Sequence, residues 1–147
     1  MSDITDFISA LEAAQSKAKF TPEVQNAASG IDPATLKAAV EAALAMGETE
    51  KLSDDAQIAA LKQGLDFAGK LVMMLKTAPG PFEKKDLWVY FKIGNNVVPE
   101  KPGMFDMVKK QLVGEWEKVK HYSDQKAQAL YIQKVNEFIG KYGLRDE

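Results

Sequence analysis

Ile58, Leu61, Leu65, Ala68, Val72 and Leu75 recur every three or four residues for about five helical turns. Positions spaced this way share one side of an α-helix, whereas a strand would send them to alternate faces. The segment is therefore predicted to be a long amphipathic helix with one buried stripe. Ser53 or Asp54 is placed to cap it, and Thr77-Ala78-Pro79-Gly80-Pro81 ends it. The same period runs through the rest of the chain. Ile4, Phe7, Ile8, Leu11 and Ala14 predict a helix over roughly 3–18, broken by Thr21-Pro22 and again by Ser29-Gly30-Ile31-Asp32-Pro33. Asp32 is a good N-cap with proline at the first helical position, and Leu36, Val40, Ala43 and Leu44 carry a second helix to Gly47.

After the double-proline loop a helix is predicted at about 83–93. Its apolar residues Leu87, Trp88, Val89, Tyr90 and Phe91 surround the axis, which implies burial on more than one side. Asp106 caps a helix with Val108, Leu112, Trp116 and Val119 as its stripe. Ser123 caps the last one, with Ala127, Tyr131, Val135, Phe138 and Tyr142 on one face, and Gly143 stops it. Valine and isoleucine seldom alternate with polar residues, so the fold class is all-α.

The 147 residues are enough for a domain with a proper core, and 46% apolar with 27% charged content is ordinary for a soluble globular protein. Absence of cysteine excludes disulfides and thiolate metal sites, and the single His121 cannot form a histidine cluster. No apolar run approaches the ~18 residues that span a bilayer. Asp3, Asp6 and Glu12 near the N-terminus fit neither a signal nor a transit peptide. The expected compartment is cytoplasmic, although a processed organellar protein would look the same. Residues 1–60 carry four lysines against ten acidic residues, while 61–147 carry 15 basic against 11 acidic groups. Glu48 to Asp55 is polar and lacks periodicity. A boundary there divides an acidic helical extension at 1–52, of about two helices, from a bundle at 53–147.

Several motifs in the second part share a spacing. Lys101-Pro102-Gly103-Met104-Phe105-Asp106 is followed by Trp116, by Tyr131-Ile132 and by Lys141-Tyr142-Gly143-Leu144. Upstream stands Leu71-Val72-Met73-Met74-Leu75-Lys76-Thr77-Ala78-Pro79, and Trp88-Val89-Tyr90-Phe91-Lys92 has the form W-x-x-F-K. Together these resemble the acyl-CoA-binding protein family, whose members read V-x-x-L-K-T-x-P, Y-x-x-Y-K, (K/R)-P-G-M-(L/F)-D, W, Y-I and K-Y-G-(I/L). From Pro102 to Leu144 the resemblance needs no insertion or deletion.

The resemblance implies a four-helix bundle in residues 61–147, with the two helices of the extension added. It implies a non-enzymatic carrier of long-chain acyl-CoA thioesters, with no cofactor. Ligand contacts carried over by position are Trp88, Phe91, Lys92 and Tyr131, with Lys109 as a neighbouring cation. Two family lysines fall on Val108 and Leu112, and Lys109 is turned from the first of these by ~100°. Phe91 lacks the hydroxyl of the family's tyrosine. Lys84 and Lys85 stand where the family usually has apolar residues. Losing two phosphate-binding lysines, at ~1.5–3 kcal/mol each, implies affinity weaker by about 10²- to 10⁴-fold.

A competing reading is a protein-interaction subunit that keeps the fold without the ligand and meets a partner through residues 1–52. Catalysis is not expected, because no acid pair, nucleophile–base set or metal constellation is visible. Nucleic-acid binding is not expected either, because the basic residues are dispersed. From the stripes alone, Trp116 and Tyr142 belong to the core, and Tyr131 fits core and site equally. Met73, Met74, Met104 and Met107 are expected to pack internally, and His121 to lie on a surface loop.

Overall fold

The computed structural model describes residues 4–145. Asp3, at the expected start of the first helix, and residues 146 and 147 lie outside them. Seven α-helices follow in order: α1 (Thr5–Gln15), α2 (Pro22–Ala28), α3 (Pro33–Ala45), α4 (Asp55–Leu71), α5 (Pro81–Gly94), α6 (Met107–Val119) and α7 (Asp124–Tyr142). A 3₁₀ turn, Val72–Met74, extends α4. The only β pairing among the described residues is a bridge between Leu75 and Leu144, which ties the C-terminal segment to the end of that turn.

Capping explains most of the boundaries. Asp32 accepts from the Thr35 N–H at 3.1 Å, Asp54 from Gln57 at 2.9 Å, Asp106 from Lys109 at 3.0 Å and Ser123 from Lys126 at 3.1 Å. The extension contains one helix more than the sequence reading assigned. Thr21-Pro22, taken as a break, opens α2: the Thr21 hydroxyl accepts from Val24 N–H and Pro22 occupies the first turn. The first helix also ends at Gln15, short of 18. Lys17 adopts φ 61°, and Ala18 N–H reaches back to the Ala13 carbonyl at 3.1 Å, a left-handed stop made without glycine.

Helices α4, α5 and α7 form the centre of the bundle, with α6 laid against α5. The extension packs on α4 and α7, and one hydrophobic cluster runs through both parts, from Ile4 and Phe7 to Val135 and Phe138. Polar bonds reinforce this contact. Asn136 accepts from the Phe7 N–H at 2.9 Å, and Gln125 accepts from the Leu52 N–H at 2.8 Å. The Lys126 ammonium donates to the Ala43, Leu44 and Met46 carbonyls at 3.3, 2.8 and 2.8 Å, satisfying groups that the end of α3 leaves unpaired.

The α6 stripe departs from expectation. No residue of α6 is buried; Trp116 and Leu112 are half-buried and Val108 is exposed. Trp116 and Tyr142 are partly buried side chains packed against the edges of apolar clusters. Of the four methionines expected to pack, only Met74 does so. Met73 is exposed on the 3₁₀ turn, and Met104, just before α6, and Met107, its first residue, are exposed as well. His121 is exposed and meets Glu48 at 3.0 Å.

Glu83 joins the start of α5 to the end of α7. It accepts from the Gly80 N–H at 2.9 Å, from the Tyr142 hydroxyl and from Lys141 at 3.1 Å. These donors, Tyr142 foremost, hold its carboxyl down at about 2. A depressed carboxylate contributes stability that is complete above its unfolded value and disappears as pH falls toward about 2. Glu83→Gln is expected to be less stable than the parent at neutral pH, with the difference closing in that acid window. Urea unfolding at a series of pH values measures it, and a difference that stays constant into acid would contradict the assignment.

Candidate functional site

One face of α5 carries Lys84, Leu87, Trp88, Phe91 and Lys92 at spacings of three and four. It confronts Asp66, Gly69 and Lys70 at the end of α4, Val72 and Met73 on the 3₁₀ turn and Tyr131 on α7, and together they line an open groove of about 590 Å³. That volume suits a sizeable small-molecule ligand. Gly69 permits the close approach: a Cβ there would sit 3.1 Å from the Phe91 ring. Phe91 and Tyr131 therefore meet with ring centroids 5.4 Å apart, tilted by 50°. The Lys92 ammonium lies 5.6 Å from the Trp88 ring centroid.

Tyr131 is 5% exposed, and burial pushes its phenol up to about 12. It stays protonated near neutral pH and remains a hydrogen-bond donor at the groove wall. Lys70 is held by Glu23 of α2 at 3.7 Å and by Asp66 at 3.9 Å. The groove thus combines aromatic faces and aliphatic walls with three ammonium groups, a set suited to an amphipathic anion. Among the described residues no cluster of metal-ligating side chains occurs, and no helix is long and apolar enough to cross a membrane.

Trp88, Phe91, Lys92 and Tyr131, carried over from the sequence, come together in this groove. Lys109 does not join them. It sits at the start of α6, 3.8 Å from Glu100, outside the residues lining the groove. Val108 and Leu112 line a second, adjoining apolar groove with Pro79, Pro81, Lys84 and Trp88. Sequence reading missed Lys70, Asp66, Gly69 and Met73. Their signal was present: Asp66, Gly69 and Lys70 lie three and four apart on α4, Met73 continues the row on the 3₁₀ turn, and Val72 of the apolar stripe lines the groove beside them.

The family model for acyl-CoA-binding protein matches residues 59–135. The chain belongs to the acyl-CoA-binding protein family. Its relatives include an acyl-CoA-binding protein homolog 1 of Caenorhabditis elegans, 38% identical over 81 residues, which are 53% of this chain and 93% of that protein. The acyl-CoA-binding protein of Saccharomyces cerevisiae is 36% identical over 85 residues, 56% of this chain and 97% of its own length. A Manduca sexta homolog is 31% identical over 88 residues, 58% of this chain and 98% of the relative. No solved structure matches the chain significantly. The family model begins inside α4, so α1, α2 and α3 lie outside it. Members of this family are non-enzymatic binding proteins, in keeping with a site of lysines and rings.

Proposed function

We propose that the chain is a carrier for long-chain acyl-CoA thioesters, with phosphate recognition weakened relative to its family. The observation that carries this reading is the groove where Trp88, Phe91, Lys92 and Tyr131 meet. The aromatic faces suit adenine, Lys92 and the Tyr131 hydroxyl suit phosphate oxygens, and the apolar continuation past Trp88 to Val108 and Leu112 suits an acyl chain. Each methylene buried there contributes about 0.8 kcal/mol. The weakening follows from Val108 and Leu112, which offer no charge where the resemblance places two lysines. Lys70 and Lys84 supply part of the missing charge, but Lys70 already answers Glu23 and Asp66.

Titration with palmitoyl-CoA, followed by tryptophan fluorescence and calorimetry, tests the proposal. Lys92→Ala is expected to weaken binding by ~1.5–3 kcal/mol, roughly 10- to 150-fold, with the melting temperature nearly unchanged. Equal affinity in parent and variant would remove Lys92 from the site. Free CoA binding as tightly as its palmitoyl ester would overturn the acyl groove. No binding of either would favour the interaction-subunit reading.

A further inference from the structure

The fold leaves a group of large apolar side chains uncovered at one end. Phe105 is 90% exposed, Phe82 80%, Met104 76%, Val108 69% and Met107 67%. Single exposed apolar residues need no explanation, but a contiguous group marks an interaction surface. Here the five gather at the turn that opens α6 and at the cavity beside it. Four of the five fall within Met104–Val108, and Val108 and Phe82 line the same cavity of about 520 Å³ between α5 and α6.

Lysines surround it. The Lys85 ammonium stands 5.2 Å from the Phe82 ring centroid, and the Lys110 ammonium donates to the Met104 carbonyl at 2.7 Å. Lys118 lines the cavity, Lys84 lines the groove beside it, and Lys101 and Lys109 flank the turn. Carboxylates temper these six cations, and Glu83 beside Phe82 is taken by Lys141 and Tyr142. Glu115 answers Lys85 at 3.6 Å and Lys118 at 3.3 Å, Glu100 answers Lys109 at 3.8 Å, and Asp106 caps α6.

We propose that this patch docks on an anionic lipid bilayer. A protruding turn bearing a phenylalanine and methionines can enter the headgroup boundary without a shaped partner, while long lysine side chains remain at the level of the lipid charges. Protein interfaces, by contrast, are depleted of lysine. A second copy would bring two cationic rims together. The patch shares Val108 with the apolar groove that continues from the ligand groove, so docking sets that groove's mouth at the membrane, where acyl chains reside. The inference goes beyond the carrier reading and holds whether or not acyl-CoA binds.

The test is co-sedimentation of the ligand-free full chain with phosphatidylcholine vesicles, with and without phosphatidylserine. Binding is expected to the anionic vesicles, to fall as salt is added, and to drop about tenfold or more in Phe105→Ser/Met107→Ser. Neither residue lines the ligand groove, so the variant should keep the parent's melting temperature and its palmitoyl-CoA response, whatever that response is. Failure to bind anionic vesicles, equal binding to neutral ones, or full binding by the double variant would overturn the proposal. A dimer in sedimentation velocity that the same variant abolishes would assign the patch to a second copy instead. An acidic protein partner competing for a chain that ignores vesicles would equally overturn it.

Discussion

Phe67→Ala is expected to lower the unfolding free energy by about 3–5 kcal/mol, a large share of the ~5–15 kcal/mol that holds a typical domain together. Phe67 is fully buried, and its ring meets Phe7 edge-on with centroids 5.6 Å apart and planes at 71°. Through this pair α1, which packs mainly on α2 and α7, reaches α4, and Phe7 is likewise fully buried. The substitution opens a cavity between two rigid helices and removes an aromatic pair worth ~0.5–1.5 kcal/mol beyond area. Urea unfolding measures the loss. Phe105→Ala is the control: the same chemical change at a side chain 90% exposed should stay within about 0.5 kcal/mol. A loss below about 1 kcal/mol at Phe67 would mean that the extension and α4 are not packed in solution as described.

The importance of Phe67 was hidden in the sequence for a physical reason. The stripe Ile58, Leu61, Leu65, Ala68, Val72, Leu75 is strong and points to one buried face. A second set, Ala60, Gly64, Phe67 and Leu71, has the same spacing, and all four are buried. Glycine and alanine contribute little hydrophobic signal, so this face reads as weak. The fold uses their smallness. A Cβ on Gly64 would lie 2.7 Å from a methyl of Leu36, so α3 rests almost on the backbone of α4. Two buried faces make α4 the partition between extension and bundle. The missed α2 has a similar origin: its capping signal at Thr21-Pro22 matches that at Asp32-Pro33, but seven residues with Val24 and Ala28 as their buried positions give too short a stripe to recognise.

The candidate groove was legible wherever motif and periodicity agreed. Trp88, Phe91 and Lys92 share a face of α5 because they lie three and four apart, and Tyr131 meets them because α5 and α7 pack together. Lys109 stands apart from that groove, because adjacency in sequence is not adjacency on a helix. Besides Lys92, the groove takes Lys84 from the same face of α5, and Lys70, which only the packing of α4 against α5 brings in. The exposed methionines were unreadable for the opposite reason: nothing in an apolar side chain on a turn says whether another helix will cover it.

A chain beginning at Ser53 is expected to remain helical yet to lose more stability than any single core substitution, while keeping its ligand affinity. The family model matches from residue 59, and the aligned stretches cover 93% and 97% of two relatives, so the part from α4 onward is expected to fold without the preceding residues. In this chain, however, removal deletes Ile4, Phe7, Leu11, Leu36 and Val40, all fully buried, and uncovers the Phe67 face of α4. Each such side chain contributes about 1.5–3 kcal/mol, and the three-carbonyl seat of the Lys126 ammonium goes with them. The exposed face should also promote self-association. Ligand affinity behaves differently, because no residue of 4–52 lines the groove; the contact that reaches its edge is the exposed Glu23–Lys70 pair, worth at most about 1 kcal/mol. Freeing Lys70 should therefore shift palmitoyl-CoA affinity by less than about fivefold, toward tighter binding. Thermal melts and titrations on the truncated and full chains decide the matter. An unchanged melting temperature would show that the shared core contributes nothing, and an affinity gain of several tens of fold would show that the extension acts as a lid. A large loss of stability with near-constant affinity is the signature of a brace built against the back of a binding bundle.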